Sequence, residues 1–167
     1  MIIIDLEATC CDLKAFPDSE REAIEIGAVD TLGGSFDLLV KPVRHPTLTA
    51  FCKSLTGITQ GDVDHACGFV EAIRSLIGWR KVDTFYSWGG FDEVQLKQDC
   101  EYHGIDYPFH RCVNLADVFR RGSGIRAGRP GAMRHLGLTP KGRNHRGLDD
   151  ATNIAAIAVE MHRREWL

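Results

Sequence analysis

The sequence predicts an α/β fold with a mixed sheet flanked by helices, on three observations. The chain opens on Met1-Ile2-Ile3-Ile4, a continuously apolar, β-branched run of the kind that a strand covered on both faces tolerates. Two more strand-like runs follow, separated by the pair Gly33-Gly34. Helical and strand-like stretches then alternate to the end of the chain, the order expected of a mixed sheet with crossover helices. At 167 residues the chain has the length of one domain with a real core, read as 1–167.

The first strand runs into Asp5-Leu6-Glu7. Residues two apart in a strand share a face, so Asp5 and Glu7 project together, about 7 Å apart, from the end of a buried strand. Two carboxylates so placed repel each other unless something positive stands between them, and a hard divalent cation is the usual remedy. Alone, the pair reads equally well as two solvated acids. Residues 8–20 form a loop that closes on the turn signal Pro17-Asp18-Ser19. A second strand is expected over 23–29 and a third over 35–41, joined as a hairpin, before Pro42 and Pro46 break the chain. Helices are expected over 50–55, 60–65 and 69–79, the last with Phe69, Ile73, Leu76 and Ile77 on one face. A fourth strand covers 84–88 and a helix 91–103, with Gly104 as its stop. A fifth strand covers 111–114. A short helix passes through Val118 and Phe119, another starts at Pro130, and the closing helix covers 148–163.

Three further residues extend the acid pair. Asp92 opens the helix after the fourth strand, and one and two turns on stand Leu96 and Cys100, so Asp92 lies on the inward stripe. By itself an acid there is a good cap. The last helix opens on Asp149-Asp150, with Ala151, Ile154, Ala155, Ala158 and Met161 as its apolar stripe. Asp150 edges that face, whereas Asp149 aligns with Asn153 and Glu160 and reads as a solvent-facing cap. His145 precedes Asp150 by five residues, between Gly142 and Gly147, in what reads as a mobile loop.

Composition sets limits. No apolar run approaches the ~20 residues of a membrane span, and a strand at Met1 leaves no room for a signal peptide. The six cysteines form no C-x-x-C pair, so neither a zinc site nor a disulfide framework is expected, and a reducing, cytoplasmic compartment is. Net charge is −3, yet residues 120–146 carry Arg120, Arg121, Arg126, Arg129, Arg134, Lys141, Arg143 and Arg146 and none of the 23 acidic residues. Such a segment reads as a phosphate-facing surface or as a solvated basic loop. Gly122, Gly124 and Gly128 do not make a dinucleotide loop, because the third glycine falls one position late and no strong strand precedes them.

Taken together, Asp5-x-Glu7, Phe91-Asp92 after a strand and His145-x4-Asp150 resemble the DEDDh-type 3′–5′ exonucleases, which share the ribonuclease-H-like fold with polymerase proofreading domains. Within that family, the histone-mRNA 3′-exonuclease and KapD-like subgroup is indicated. The supporting stretches are Asp5-Leu-Glu-Ala-Thr-Cys10, Phe51-Cys52 with Leu55-Thr-Gly-Ile-Thr59, Ser87-Trp88, and His145-Arg-Gly-Leu-Asp-Asp-Ala151. The resemblance spans essentially the whole chain. One departure is Gly89-Gly90 between Trp88 and Phe91-Asp92, where eukaryotic relatives often run Trp directly into Asp.

The resemblance implies a ribonuclease-H-like three-layer fold with a central mixed five-stranded sheet. It implies metal-dependent release of 5′-mononucleotides from the 3′ end of single-stranded RNA, with DNA also within reach. Asp5 would bridge two Mg2+ or Mn2+ ions, Glu7 and Asp150 would complete the first site, Asp92 would hold the second ion through water, and His145 would be the general base. For substrate it implies Trp88 or Phe91 stacked on the terminal base, Leu55 wedged beneath it, the main chain of Ala8 and Thr9 on the ribose, and Arg143 in contact. Glu25, Cys10 with Cys11, and His103 with His110 read as structural. Two other readings stay open: a DNA-proofreading or DNA-trimming nuclease, and a non-catalytic nucleic-acid-binding regulatory module. The complete five-residue set argues against the module.

Overall fold

A computed structural model of the chain describes residues 1–12, 16–81 and 83–167. Its sheet comprises β1 (Ile2–Ala8), β2 (Ala23–Asp30), β3 (Ser35–Leu39), β4 (Thr84–Ser87) and β5 (Arg111–Asn114), in the spatial order β3-β2-β1-β4-β5. β2 pairs antiparallel with β1 and β3, while β4 runs parallel to β1 and to β5. The sheet is therefore mixed, as expected. β2 and β3 form the expected hairpin. Its turn places Gly33 and Gly34 at φ of 121° and 106°, a region that β-carbons disfavour.

Among the described residues the helices are α1 (Ala50–Thr56), α2 (Gln60–Asp64), α3 (Phe69–Trp79), α4 (Phe91–Tyr102), α5 (Leu115–Ser123), α6 (Arg129–Leu136) and α7 (Gly147–Arg163). They cover both faces of the sheet. Ile4 and Leu6 of β1 pack with Phe69, Ile73 and Leu76 of α3 and Leu96 of α4. Ile3 packs on the opposite face with Phe119 of α5, Met133 of α6 and Ile154 and Ile157 of α7. Burying each such side chain stabilises by roughly 1.5–3 kcal/mol. A central strand clad on both sides explains the unbroken apolar opening of the chain. It also fixes where the acids point: by alternation, Asp5 and Glu7 share the face of Ile3, toward α6 and α7.

Two boundaries are set by contacts that lie outside the local pattern. β1 carries Asp5 and Glu7 within it and runs to Ala8. β2 pairs with it through Asp5↔Gly27 and Glu7↔Glu25, and the register shifts only between Glu7 and Ala8. Backbone pairing sets the strand's length there, not side-chain polarity. α5, the short helix expected through Val118 and Phe119, has its length set by Asn114, which caps it by accepting from Ala116 N at 3.0 Å, and by Gly124, which ends it at φ 74°. The six cysteines are unpaired. Among the described residues, no helix is long and apolar enough to cross a membrane.

Candidate active site

The site forms where the second half of β1 meets the first turns of α4 and α7. Asp92, in the first turn of α4, is 4% exposed, and its Oδ1 accepts from Leu6 N at 2.9 Å. That bond latches α4 to the strand residue between Asp5 and Glu7. From α7 come His145, just ahead of the helix, and Asp150 in its first turn. One donor atom each from Glu7, His145 and Asp150 lie within 4.8 Å of one another. The side chains that the sequence singled out thus converge, although His145 and Asp150 are far from Glu7 along the chain.

What aims α7 at the sheet is Glu25, the cross-strand partner of Glu7. Its fully buried carboxylate accepts from Arg146 Nε at 3.0 and 3.2 Å, from Arg146 Nη2 at 2.8 Å and from Gly147 N at 2.8 Å. A forked guanidinium–carboxylate pair fixes direction as well as distance. Gly27 of β2 lets the helix start sit on the strand: a β-carbon there would lie 2.0 Å from the carbonyl carbon of Gly147. Glu25 is structural, as expected, and its structural task is to place the catalytic candidates of α7.

The loop before α7 is tied down rather than mobile. Asn153 holds both the N–H and the carbonyl of Lys141 at 2.9 Å. Asp149 Oδ2 accepts from Arg143 N at 2.7 Å, so it secures this loop instead of capping the helix. Arg143 Nη2 donates to Ser54 O of α1 at 3.2 Å. His145 N donates to Asp150 Oδ2 at 3.0 Å, with His145 in the left-handed region at φ 62°. Gly147 serves close packing, not flexibility.

Burial raises the pKa values of all four acids, and at Asp5 and Glu7 neighbouring carboxylates add to it. Burial raises Glu7 to about 8, helped by Asp150, Glu25 and Asp92. Burial raises Asp92 to about 7 against the bond from Leu6 N. Asp5 is raised well above the usual carboxylate range by burial, then by Asp92, Asp150 and Glu7. Burial raises Asp150 as well, opposed by Arg129. Arg129, at the start of α6, reaches Asp150 Oδ2 with Nη1 at 2.6 Å and stands 4.0 Å from Asp5 Oδ1. Its guanidinium also bonds Asn144 Oδ1. Asp150 Oδ1 is buried without a hydrogen-bond partner. A set of desolvated carboxylate oxygens with one imidazole, one oxygen still free to accept, fits a hard divalent cation such as Mg2+ or Mn2+.

The expected substrate contacts sort unevenly. Trp88 is half-buried and packs against Phe119, ring centroids 5.8 Å apart. Phe91 is 42% exposed beside Asp92. Thr9 is turned inward: its N–H donates to Glu22 O at 2.8 Å and its hydroxyl accepts from Glu22 N at 3.0 Å, so that amide is not free for a ribose. Ala8 is buried at the end of β1, Leu55 is half-buried on α1, and Arg143 lies against Gly57 at the end of α1. Of the basic segment, Arg129 and Arg146 are turned inward on acids. Arg120, Arg121, Arg126, Arg134 and Lys141 are exposed. Arg120 and Arg126 line a 430 Å³ groove with Gly89 and Asn114, at the C-terminal ends of β4 and β5. Arg129 carries no local sequence signal of its role, because its partners lie on β1 and α7.

A mixed five-stranded sheet clad by helices, with an acid cluster on its central strand, defines a ribonuclease-H-like nuclease fold. The profile of the exonuclease family matches residues 2–158, and the chain belongs to that family, in its DEDDh type. It is 35% identical over 161 residues to "Probable 3'-5' exonuclease KapD" of Bacillus subtilis (strain 168), covering 90% of this chain and 78% of that one. It is 34% identical over 181 residues to "3'-5' exoribonuclease 1" of Homo sapiens, covering 95% of this chain and 51% of the human protein. Among solved structures, the nuclease domain of 3′hExo, a DEDDh family member, bound to rAMP, superposes with a TM-score of 0.87 at 31% identity, covering 97% of this chain and 90% of that one. Exonuclease X, at 18% identity and a TM-score of 0.70, shares the fold.

Proposed function

We propose that the chain is a metal-dependent 3′–5′ exonuclease that hydrolyses single-stranded RNA, with DNA as a second substrate, and releases 5′-mononucleotides. The observation that carries this is the meeting of Glu7, Asp150 and His145 donor atoms within 4.8 Å, beside Asp5 of the same strand as Glu7. The preference for RNA is supported by the human relative's name and by the rAMP bound to the similar nuclease domain.

Asp5, Glu7, Asp92 and Asp150 would hold two Mg2+ or Mn2+ ions. Bound there, such ions supply Lewis-acid polarisation of the phosphodiester and activation of water. The chain's own part is positioning and proton transfer. The Leu6–Asp92 and Glu25–Arg146 bonds hold the acids in place from both helices. His145 takes the proton of the attacking water on a ring nitrogen, its backbone fixed on Asp150. Phe91 offers a ring face for the terminal base, with Leu55 beneath it. The main chain of Ala8 lies beside the ribose, and Arg143 lies near the phosphates.

Degradation of 5′-labelled RNA and DNA oligonucleotides tests the reading. A ladder shortening from the 3′ end in magnesium, faster on RNA and abolished by EDTA, is expected. Faster loss of DNA would favour a trimming nuclease. A shifted but intact RNA band would favour a non-catalytic module and overturn the enzymatic assignment.

A further inference from the structure

We propose that Arg129 is an intramolecular competitor for the metal-binding carboxylates, so that a divalent cation must displace its guanidinium to load the site. The proposal rests on the metal-dependent reading above and adds to it a residue that sets metal affinity. Among the described residues, Arg129 is the one arginine or lysine within 4.0 Å of any of the four acids, through Asp150 and Asp5. Its side chain is 14% exposed and anchored at its far end on Asn144, so it is held among the acids rather than draped over them. Asp150 Oδ2 already receives Arg129 Nη1 and His145 N. A cation taking that carboxylate meets a positive charge on the same oxygen, and like charges at contact distance in a half-buried site repel strongly.

The fold also gives the displaced side chain somewhere to go. A 240 Å³ cavity is lined by Arg129 itself, with Pro130, Met133, Lys141, Gly142 and its anchor Asn144. Asp150 Oδ1, buried and without a partner, offers an incoming ion a first oxygen before Arg129 has left. The two cations then define two arrangements of one site. When a competitor holds a site, apparent affinity falls by the fraction of time the site is open. If Arg129 withdraws for about a tenth of the time, the apparent Kd for metal is about tenfold higher than that of the bare carboxylates.

The test is calorimetric titration of MnCl2 into EDTA-stripped protein, without substrate, for wild type, Arg129→Gln and Arg129→Lys. Arg129→Gln should bind the first ion about tenfold more tightly. Without metal it should melt below wild type at pH 8, because the acids lose their counter-charge, and the gap should close in saturating manganese. Arg129→Lys keeps the charge without the fork and should fall between the two. A folded Arg129→Gln whose affinity is equal to or weaker than wild type's overturns the proposal. If that variant does not fold, a wild-type affinity for Arg129→Lys overturns it instead. Wild-type protein that binds no manganese overturns both the proposal and the metal-dependent reading, which separates that failure from this one.

Discussion

At residue scale, His145 carries the sharpest chemical expectation. Its backbone is left-handed, a conformation that costs a non-glycine residue of order 1–3 kcal/mol and that the surrounding bonds must enforce. Here Asp150 accepts its N–H and Arg146 beside it is clamped to Glu25. Strain held in this way suits a group whose ring must point at one place. A general base takes a proton only in its neutral form, so turnover should fall in acid. His145→Ala should lower kcat by about 10²–10⁴ with substrate binding largely kept. Measuring kcat against pH in magnesium and in manganese decides the matter, since a variant with unchanged rate and profile would leave His145 a loop residue only. Asp5 differs in kind. Asp92, Asp150 and Glu7 all raise its pKa, so Asp5→Ala should abolish turnover while the metal-free melting temperature holds or rises. Near-normal activity in magnesium would sink the two-metal reading. These residues were legible because each lies at a position whose local period shows its direction. The positions of Arg129 and Thr9 were not, because they depend on contacts with α7, β1 and Glu22 that no local pattern encodes.

At the scale of elements, the site depends on the fit of α7 against β1 and β2. α3 and β5 were readable to the residue, α3 from its apolar period. The end of β1 and the length of α5 were not, since pairing with β2 sets the first and caps set the second. The loop before α7 was misread as mobile for a related reason. Its glycines suggest freedom, but its ties reach Ser54, which is 89 residues away in sequence from Arg143, and Glu25, which is 121 from Arg146. Gly27 tests this fit directly. A β-carbon there would sit 2.0 Å from Gly147 C and 2.2 Å from Leu148 N, backbone atoms that cannot turn aside as a side chain can. Gly27→Ala should cost about 1–3 kcal/mol of stability, as overpacking does, and should lose activity by shifting Asp150 and His145. Urea unfolding paired with the nuclease assay reads both. Full activity at unchanged stability would show that α7 tolerates the displacement.

At the scale of the whole molecule, the charge pattern does two things. The basic segment looked like a uniform phosphate track, but Arg129 and Arg146 are turned inward, so Arg120 and Arg126 in their groove remain as its best-placed members. Neutralising both should weaken RNA binding alike for all sequences and flatten the salt dependence by about 0.7 per lost phosphate contact, whereas an unchanged slope would turn that groove away from substrate. The acids act on stability itself. Glu7 is raised from 4.5 to about 8 and Asp92 from 3.8 to about 7, so across that window the folded chain binds more protons than the unfolded one. Stability must then fall as pH rises through it. Asp30 and Asp62 are shifted the other way by backbone N–H groups of Leu32 and Thr59, and their contribution is lost only as pH falls below the ordinary carboxylate value of 3.8. EDTA-treated protein should therefore melt highest on the mildly acidic side and lose stability steadily from about pH 5 to about pH 8. Saturating magnesium or manganese should flatten that decline, because an ion binds the ionised acids and stabilises the fold that presents them. The same linkage requires loading to release protons near neutrality, which appears as a buffer-dependent heat when one titration is run in two buffers of different ionisation enthalpy. A metal-free melting temperature that climbs from pH 5 to pH 8, or one that metal leaves unmoved at pH 8, would mean that these acids do not share one desolvated cluster.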